Sequence, residues 1–99
     1  AAPEGLFSSH DRNLDRRQRA HLGMFMQTIM LLAEERGLAT CPQEAWAALH
    51  TIVSEFLELP EQRIFYCGMA LGYADRDHPI NGFRTEREPL DNFARFHGF

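Results

Sequence analysis

At 99 residues, 44% apolar and 24% charged, the chain has the size and composition of one small globular domain. Its net charge of -4 argues against a general nucleic-acid binder. It carries neither an apolar run of the roughly 20 residues that span a bilayer nor a signal-peptide pattern, and its two cysteines, Cys41 and Cys67, suit a reduced cytoplasmic protein better than a disulfide scaffold.

The chain opens "AAPEGLFSSHD", without methionine, and reaches strand-like residues almost at once, as a chain entered part-way through would. Residues 5–9, with Leu6 and Phe7, predict a short strand that ends in the turn-prone "HDRN". Asp15 and Gln18 form a capping-box pattern for a helix that Gly37 is placed to end in a left-handed conformation. Arg16, Arg17 and Arg19, near its start, read as a solvated face. From 22 to 33 this helix is apolar on nearly every side, broken only by Gly23, Gln27 and Thr28. A helix apolar all round is buried all round, and too little chain remains to enclose it. The pattern therefore predicts a partner, either another subunit or a missing part of the same domain.

The stretch "GLATCPQEAW", 37–46, carries a second capping-box pattern in Thr40 and Gln43, with Pro42 suited to a first helical turn. It predicts a helix over 43–57 with Trp46, Leu49, Val53 and Phe56 as an apolar stripe, stopped by Pro60. Two readings of this stretch stay open on the residues alone. It is a tight helix-to-helix connection worth about 1 kcal/mol in capping, or its unpaired amides at Gln43, Glu44 and Ala45 donate to an anionic or electron-accepting ligand.

Farther on, "RIFYCGMALGY", 63–73, is apolar on both faces and reads as a central strand. The tail is rich in charge and turn residues, with Phe83, Leu90, Phe93, Phe96 and Phe99 as anchors of an arm lying over another surface. Cys41 reads as a small buried residue rather than a nucleophile, since no histidine stands at a pairing spacing, and Cys67 as core. Met24, Met26 and Met30 read as core or interface. The five histidines lack metal-ligand spacing, so no metal site is expected.

Three segments, "ERGLATCPQEAW", "VSEFLELPEQRIFYCGMALGYAD" and "FRTEREPLDNFARFHGF", resemble in order and spacing the carboxyl-terminal half of the FMN-dependent nitroreductase family. The likeness runs over nearly all of the chain, and "CPQEAW" and "RTEREPL" most resemble the nitrobenzoate-reductase-like branch. It implies an α+β fold, a mainly antiparallel sheet flanked by helices, in a homodimer with FMN at the subunit interface. Residues 1–99 would then be a partial domain whose amino-terminal half is absent. The resemblance places Pro42, Gln43, Glu44 and Ala45 beside the isoalloxazine ring, with the Glu44 amide facing N5 and O4, where a fixed donor tunes the hydride-accepting atom. It gives Arg87, with Arg84 near the second basic position, to the flavin phosphate, which an arginine fork matches. Without the resemblance both are ordinary surface arginines.

The implied chemistry is hydride transfer from NADH or NADPH to FMN and reduction of a small nitroaromatic or quinone-like acceptor. No residue of this chain is assigned as catalytic, and the chain by itself is expected to be inactive. Two alternatives remain: a non-enzymatic dimerisation module derived from the same fold, and a cysteine-based redox protein that uses Cys41 without flavin.

Overall fold

The computed structural model describes residues 2–14 and 16–98, and only the backbone of Arg16. The expected cap at Asp15 and the anchor at Phe99 lie outside the described residues. Strand β1 (Glu4–Asp11) leads into helix α1 (Arg16–Glu35), which is followed by strand β2 (Ala39–Gln43). A 3-10 segment (Glu44–Leu49), helix α2 (His50–Phe56) and strand β3 (Arg63–Gly72) come next. Two single-turn helices, α3 (Pro79–Gly82) and α4 (Leu90–Phe93), punctuate the tail.

The sheet is antiparallel with order β1-β3-β2, so the strand predicted to be central is central. Its apolar residues on both faces each find a cover. On one face Met26 of α1 is buried against Cys67 and Met69, with Ile29, Met30 and Tyr66 packed around them. Phe7 and Phe65 pack together on the other, their ring centroids 6.1 Å apart, and Val53 of α2 is buried. The architecture is therefore α+β, with helix α1 on one side of the sheet and the 3-10 segment and α2 on the other.

One irregularity shapes the α1 side. Ser8 pairs with Cys67 but Ser9 pairs with Phe65, so Tyr66 is the extra residue of a β-bulge. The bulge lets Tyr66 and Cys67 both meet the α1 cluster. His10, buried at the same end, stands edge-on to Tyr66, and its Nδ1 lies 2.8 Å from the Asp11 carbonyl oxygen. Ser8 Oγ donates to the Cys67 carbonyl at 2.9 Å, which satisfies its hydroxyl inside an otherwise apolar contact.

Helix α1 ends as predicted. Gly37 has φ 71°, with Gly37 N–H donating to Glu34 O and Leu38 N–H to Ala33 O, both at 2.9 Å. That pair of bonds is a Schellman motif. The same motif closes α2: Glu58 N–H donates to Glu55 O and Leu59 N–H to Ser54 O. There the left-handed position, φ 52°, is held by Glu58 rather than glycine. The chain therefore closes the second helix through Glu58, two residues before Pro60, and at a steric cost.

The predicted helix over 43–57 is corrected. Its first part is strand and 3-10 helix, and only His50–Phe56 is α-helical. The Thr40–Gln43 capping box does not form, because Thr40 pairs with Leu71 and Gln43 with Gly68 across the sheet. Strand pairing with β3 supplies the partners that a cap would have offered, and a β-branched threonine suits it. The change of helix type also breaks the 3.6-residue period, so of the expected stripe only Val53 is buried.

Many large apolar side chains remain exposed. On α1 these include Met24, Phe25, Leu31 and Leu32, and Met24 is 68% exposed, so it is not core within this chain. Thr28 does not interrupt that apolar surface, since its hydroxyl donates to the Met24 carbonyl at 2.9 Å. Phe83, Leu90, Phe93 and Phe96 of the tail are exposed as well. The radius of gyration is 16.9 Å, above the roughly 13 Å of a compact domain of this length. Among the described residues no helix is long and apolar enough to cross a membrane.

The two helix ends make opposite predictions. Gly37→Ala is expected to destabilise by about 1 kcal/mol and Glu58→Gly to stabilise by a similar amount, because each changes the steric cost of a left-handed residue. Urea unfolding midpoints of the two variants check both signs.

Candidate functional site

The segment singled out by the sequence sits where β2 becomes the 3-10 helix. Pro42 ends no pairing it could not afford to lose: β2 lies at an edge of this three-stranded sheet, where a residue without N–H is tolerated. Side chains alternate across a strand, so consecutive residues here face different neighbours. Pro42, opposite Met69, lies on the α1 side, and Gln43, opposite Gly68, lies on the other.

Two hollows flank this turn. The one on the α1 side is about 270 Å³ and is lined by Pro42, Glu44, Gly23, Gln27, Met30 and Tyr66, together with the buried Met26 and Cys67. Its lining residues are mainly apolar, with Glu44 and Gln27 among the polar ones. The other, about 360 Å³, is bordered by Gln43, Trp46, Phe7, Gly5 and Ala70 among others. Here the Trp46 indole Nε1–H donates to Gln43 Oε1 at 2.9 Å. Trp46 rests over Gly68, where an added Cβ would stand 3.4 Å from the indole Cδ1.

At the turn itself, Gln43 gives no side-chain cap to the 3-10 helix. A 3-10 helix leaves its first amides without internal partners, and Glu44 and Ala45 occupy those positions. Ala45 is exposed.

The structure thus brings Pro42 and Glu44 to one hollow and places Gln43 in the adjoining one. Arg84 and Arg87 line neither. Both are exposed, and Arg87 Nη1 donates to the Thr85 carbonyl and hydroxyl within its own loop. Cys41, expected to be buried, is exposed. It sits on edge strand β2, opposite Ala70, with only a weak contact from Sγ to the Pro42 carbonyl at 3.8 Å. Cys67 is buried as expected. Among the described residues no cluster of histidine, cysteine, aspartate and glutamate could hold a metal ion.

Trp46 and Gly68 were not among the site residues read from the sequence. The sequence pattern puts Trp46 in an apolar stripe, although it stands three residues after Gln43, a spacing at which side chains on a helical turn meet. That spacing was the available signal for the indole–amide bond. Gly68 had none, since its role depends on which residue crosses above it.

Comparison with known proteins supplies the wider context. The family model described as "Nitroreductase family" matches residues 2–73. A 4-nitrobenzoate reductase of Pseudomonas putida is 42% identical over 98 residues, covering 99% of this chain and 43% of the relative. The crystal structure of the FMN and NADPH-dependent nitroreductase NfnB from Sphigopyxis sp. strain HMH superposes with a TM-score of 0.95 at 40% identity, covering 99% of this chain and 44% of that one. The FMN-dependent nitroreductase NfnB from Mycobacterium smegmatis, in complex with NADPH, gives a TM-score of 0.89 at 31% identity, covering 97% and 43% of the two chains. The chain therefore spans less than half the length of these relatives.

The seat of Trp46 is tested through Gly68. Gly68→Ala is expected to be tolerated, because a single Cβ meets the indole at ordinary contact distance. Gly68→Val forces the indole off the sheet and is expected to cost about 1–3 kcal/mol. Trp46 is the only tryptophan, so a red-shifted emission of the valine variant, with a lower unfolding midpoint, checks the displacement directly.

Proposed function

This chain belongs to the nitroreductase family, and from that premise we infer that it is the carboxyl-terminal part of an FMN-dependent NAD(P)H oxidoreductase. The whole protein is proposed to act as a homodimer on a small nitroaromatic or quinone-like acceptor, with 4-nitrobenzoate the first to test because relatives of that name lie at 42% identity. The observation that carries this reading is the position of Pro42 and Glu44. They lie at the lip of a mainly apolar hollow against α1, in a chain of which 99% superposes on part of an FMN-dependent nitroreductase.

The residues present fit the ring end of FMN and not its phosphate end. Met26, Met30 and Tyr66 offer an apolar wall suited to a flat heterocycle, and the Glu44 and Ala45 amides are donors left over by the start of the 3-10 helix. At about 270 Å³ the hollow is smaller than a typical cofactor cleft. Among the described residues no cationic side chain lines it, and Arg84 and Arg87 stand on the exposed tail. In this proposal the two arginines reach the phosphate only when the tail lies over a second subunit, which the exposed Phe83, Leu90, Phe93 and Phe96 would anchor.

When bound, FMN would supply hydride acceptance from NADH or NADPH and electron delivery to the acceptor. This chain's part is to bind and orient: Pro42 and Glu44 border the ring, the first 3-10 amides donate to its electron-rich edge, and α1 excludes water from one face. The exposed apolar surface of α1, Met24 to Leu32, supports the dimer. It equally favours the second reading, a dimerisation module without enzymatic activity. Visible flavin absorbance in the purified whole protein, together with NAD(P)H-dependent loss of 4-nitrobenzoate, decides for the enzyme; absence of both decides for the module.

Two binding measurements follow from the proposed division of the site. The isolated 99-residue chain is expected to bind FMN weakly or not at all, and tight stoichiometric binding in a titration would overturn that division. In the whole protein Arg87→Ala is expected to weaken FMN binding tenfold or more, since a bond to a charged group is worth about 1.5–3 kcal/mol. Riboflavin, which lacks the phosphate, is expected to bind wild type and variant alike.

A further inference from the structure

We propose that Tyr66 supplies a phenolic hydrogen-bond donor to the hollow between α1 and the Pro42 turn, and that buried His10 is the positioning residue that holds its ring there. The inference rests on the flavin reading above, but it concerns the central strand and not the turn. Strict alternation along a strand gives only one of two consecutive residues to a face. The bulge gives both Tyr66 and Cys67 to the α1 side, where both line the 270 Å³ hollow. Re-aiming a side chain is what a bulge beside a site does.

The re-aimed ring is also braced. His10 lies opposite Ile64, two residues beyond Ser8 on β1, so it shares the α1 side. It is 6% exposed and stands edge-on to Tyr66, with ring centroids 6.1 Å apart and planes at 70°. A carbonyl oxygen only accepts, so the 2.8 Å contact with Asp11 assigns the imidazole proton to Nδ1 and fixes the ring. Nothing else in the proposed site uses this histidine.

Tyr66 itself is half-buried, and among the described residues its hydroxyl has no hydrogen-bond partner. Gln27 and Glu44, the other polar lining residues, are exposed. Once the apolar surface of α1 is covered in the proposed dimer, water leaves the hollow. A hydroxyl shut away from water needs an acceptor, and the neighbouring Met26 and Met30 offer only weak thioether sulfurs. The ligand chemistry that satisfies it is an electron-rich carbonyl or nitrogen edge, which an isoalloxazine ring supplies.

The test uses the purified whole protein with FMN and riboflavin as probes. Its readouts are the dissociation constant for each and the midpoint potential of the bound flavin. Tyr66→Phe keeps the ring and removes only the hydroxyl. It is expected to weaken binding about threefold to tenfold, the range of one ordinary hydrogen bond. The factor is expected to be the same for FMN and riboflavin, because the lost donor faces the ring and not the phosphate. The potential is expected to become more negative, since a donor at an electron-rich edge stabilises the charge gained on reduction. His10→Leu is expected to shift the potential in the same direction by less and to lower the unfolding midpoint. In the Tyr66→Phe background it is expected to lower the unfolding midpoint only.

Unchanged flavin affinity and potential in Tyr66→Phe would make Tyr66 a packing residue and overturn the proposal. A raised KM for 4-nitrobenzoate with both flavin readouts unchanged would overturn it too, by assigning the hydroxyl to the acceptor. A further potential shift on adding His10→Leu to Tyr66→Phe would overturn the positioning role of His10. A wild-type protein without flavin would bring down both the proposed function and this inference, whereas a flavin-loaded wild type with a silent Tyr66→Phe would bring down this inference alone.

Discussion

Everything in this chain is arranged around one strand that needs neighbours on four sides. β3 hydrogen-bonds to β1 along one edge and to β2 along the other, and its side chains are apolar on both faces. A backbone paired on both edges has its donors and acceptors satisfied, so its two faces can be given wholly to packing. α1 takes one face through Met26, and the 3-10 segment and α2 take the other. The positions of Pro42 to Ala45 follow from this. They lie where β2, having completed its pairing with β3, has to leave the sheet.

Enclosure stops at that strand. Among the described residues the buried set is small: Gly68 and Gly72 apart, it is Met26, Ala33, Val53, Phe65, Cys67, Met69 and His10, while the outer surfaces of α1, α2 and the tail keep Met24, Phe25, Phe56 and Phe93 in solvent. Contiguous exposed apolar surface of this kind marks an interaction face. It accords with a chain that spans less than half the length of its relatives. The proposed flavin reading has the same character: Pro42 to Glu44 would border the ring, and Arg84 and Arg87, which would meet the phosphate, stand exposed on the tail.

The capping-box pattern at Thr40 and Gln43 shows how a local rule is overridden. Threonine three residues ahead of glutamine, with proline between them, matches a helix start, and nothing nearby contradicts it. The competing demand comes from Leu71 and Gly68, residues far along the chain that need a partner strand. Ladder pairing satisfies more backbone groups than a cap does, so the strand prevails and the helix is delayed to His50. The same distance in sequence hides Gly68 under Trp46 and the bulge at Tyr66, both of which depend on what crosses from another element.

The sequence by itself determined the elements whose causes are local or periodic. These are the strand at 63–73, the all-round apolar helix, its left-handed ending at Gly37, and the family to which the order of the three segments points. Each is written in residues close together or in a repeating pattern. Only the tertiary structure decided that Thr40 to Gln43 is a strand, that Cys41 is exposed, that Glu58 takes the left-handed place, and that Trp46 holds Gln43 by its amide oxygen. Those outcomes turn on which distant backbone or ring arrives beside a residue, and contact across the chain is a property of the fold that no stretch of sequence carries alone.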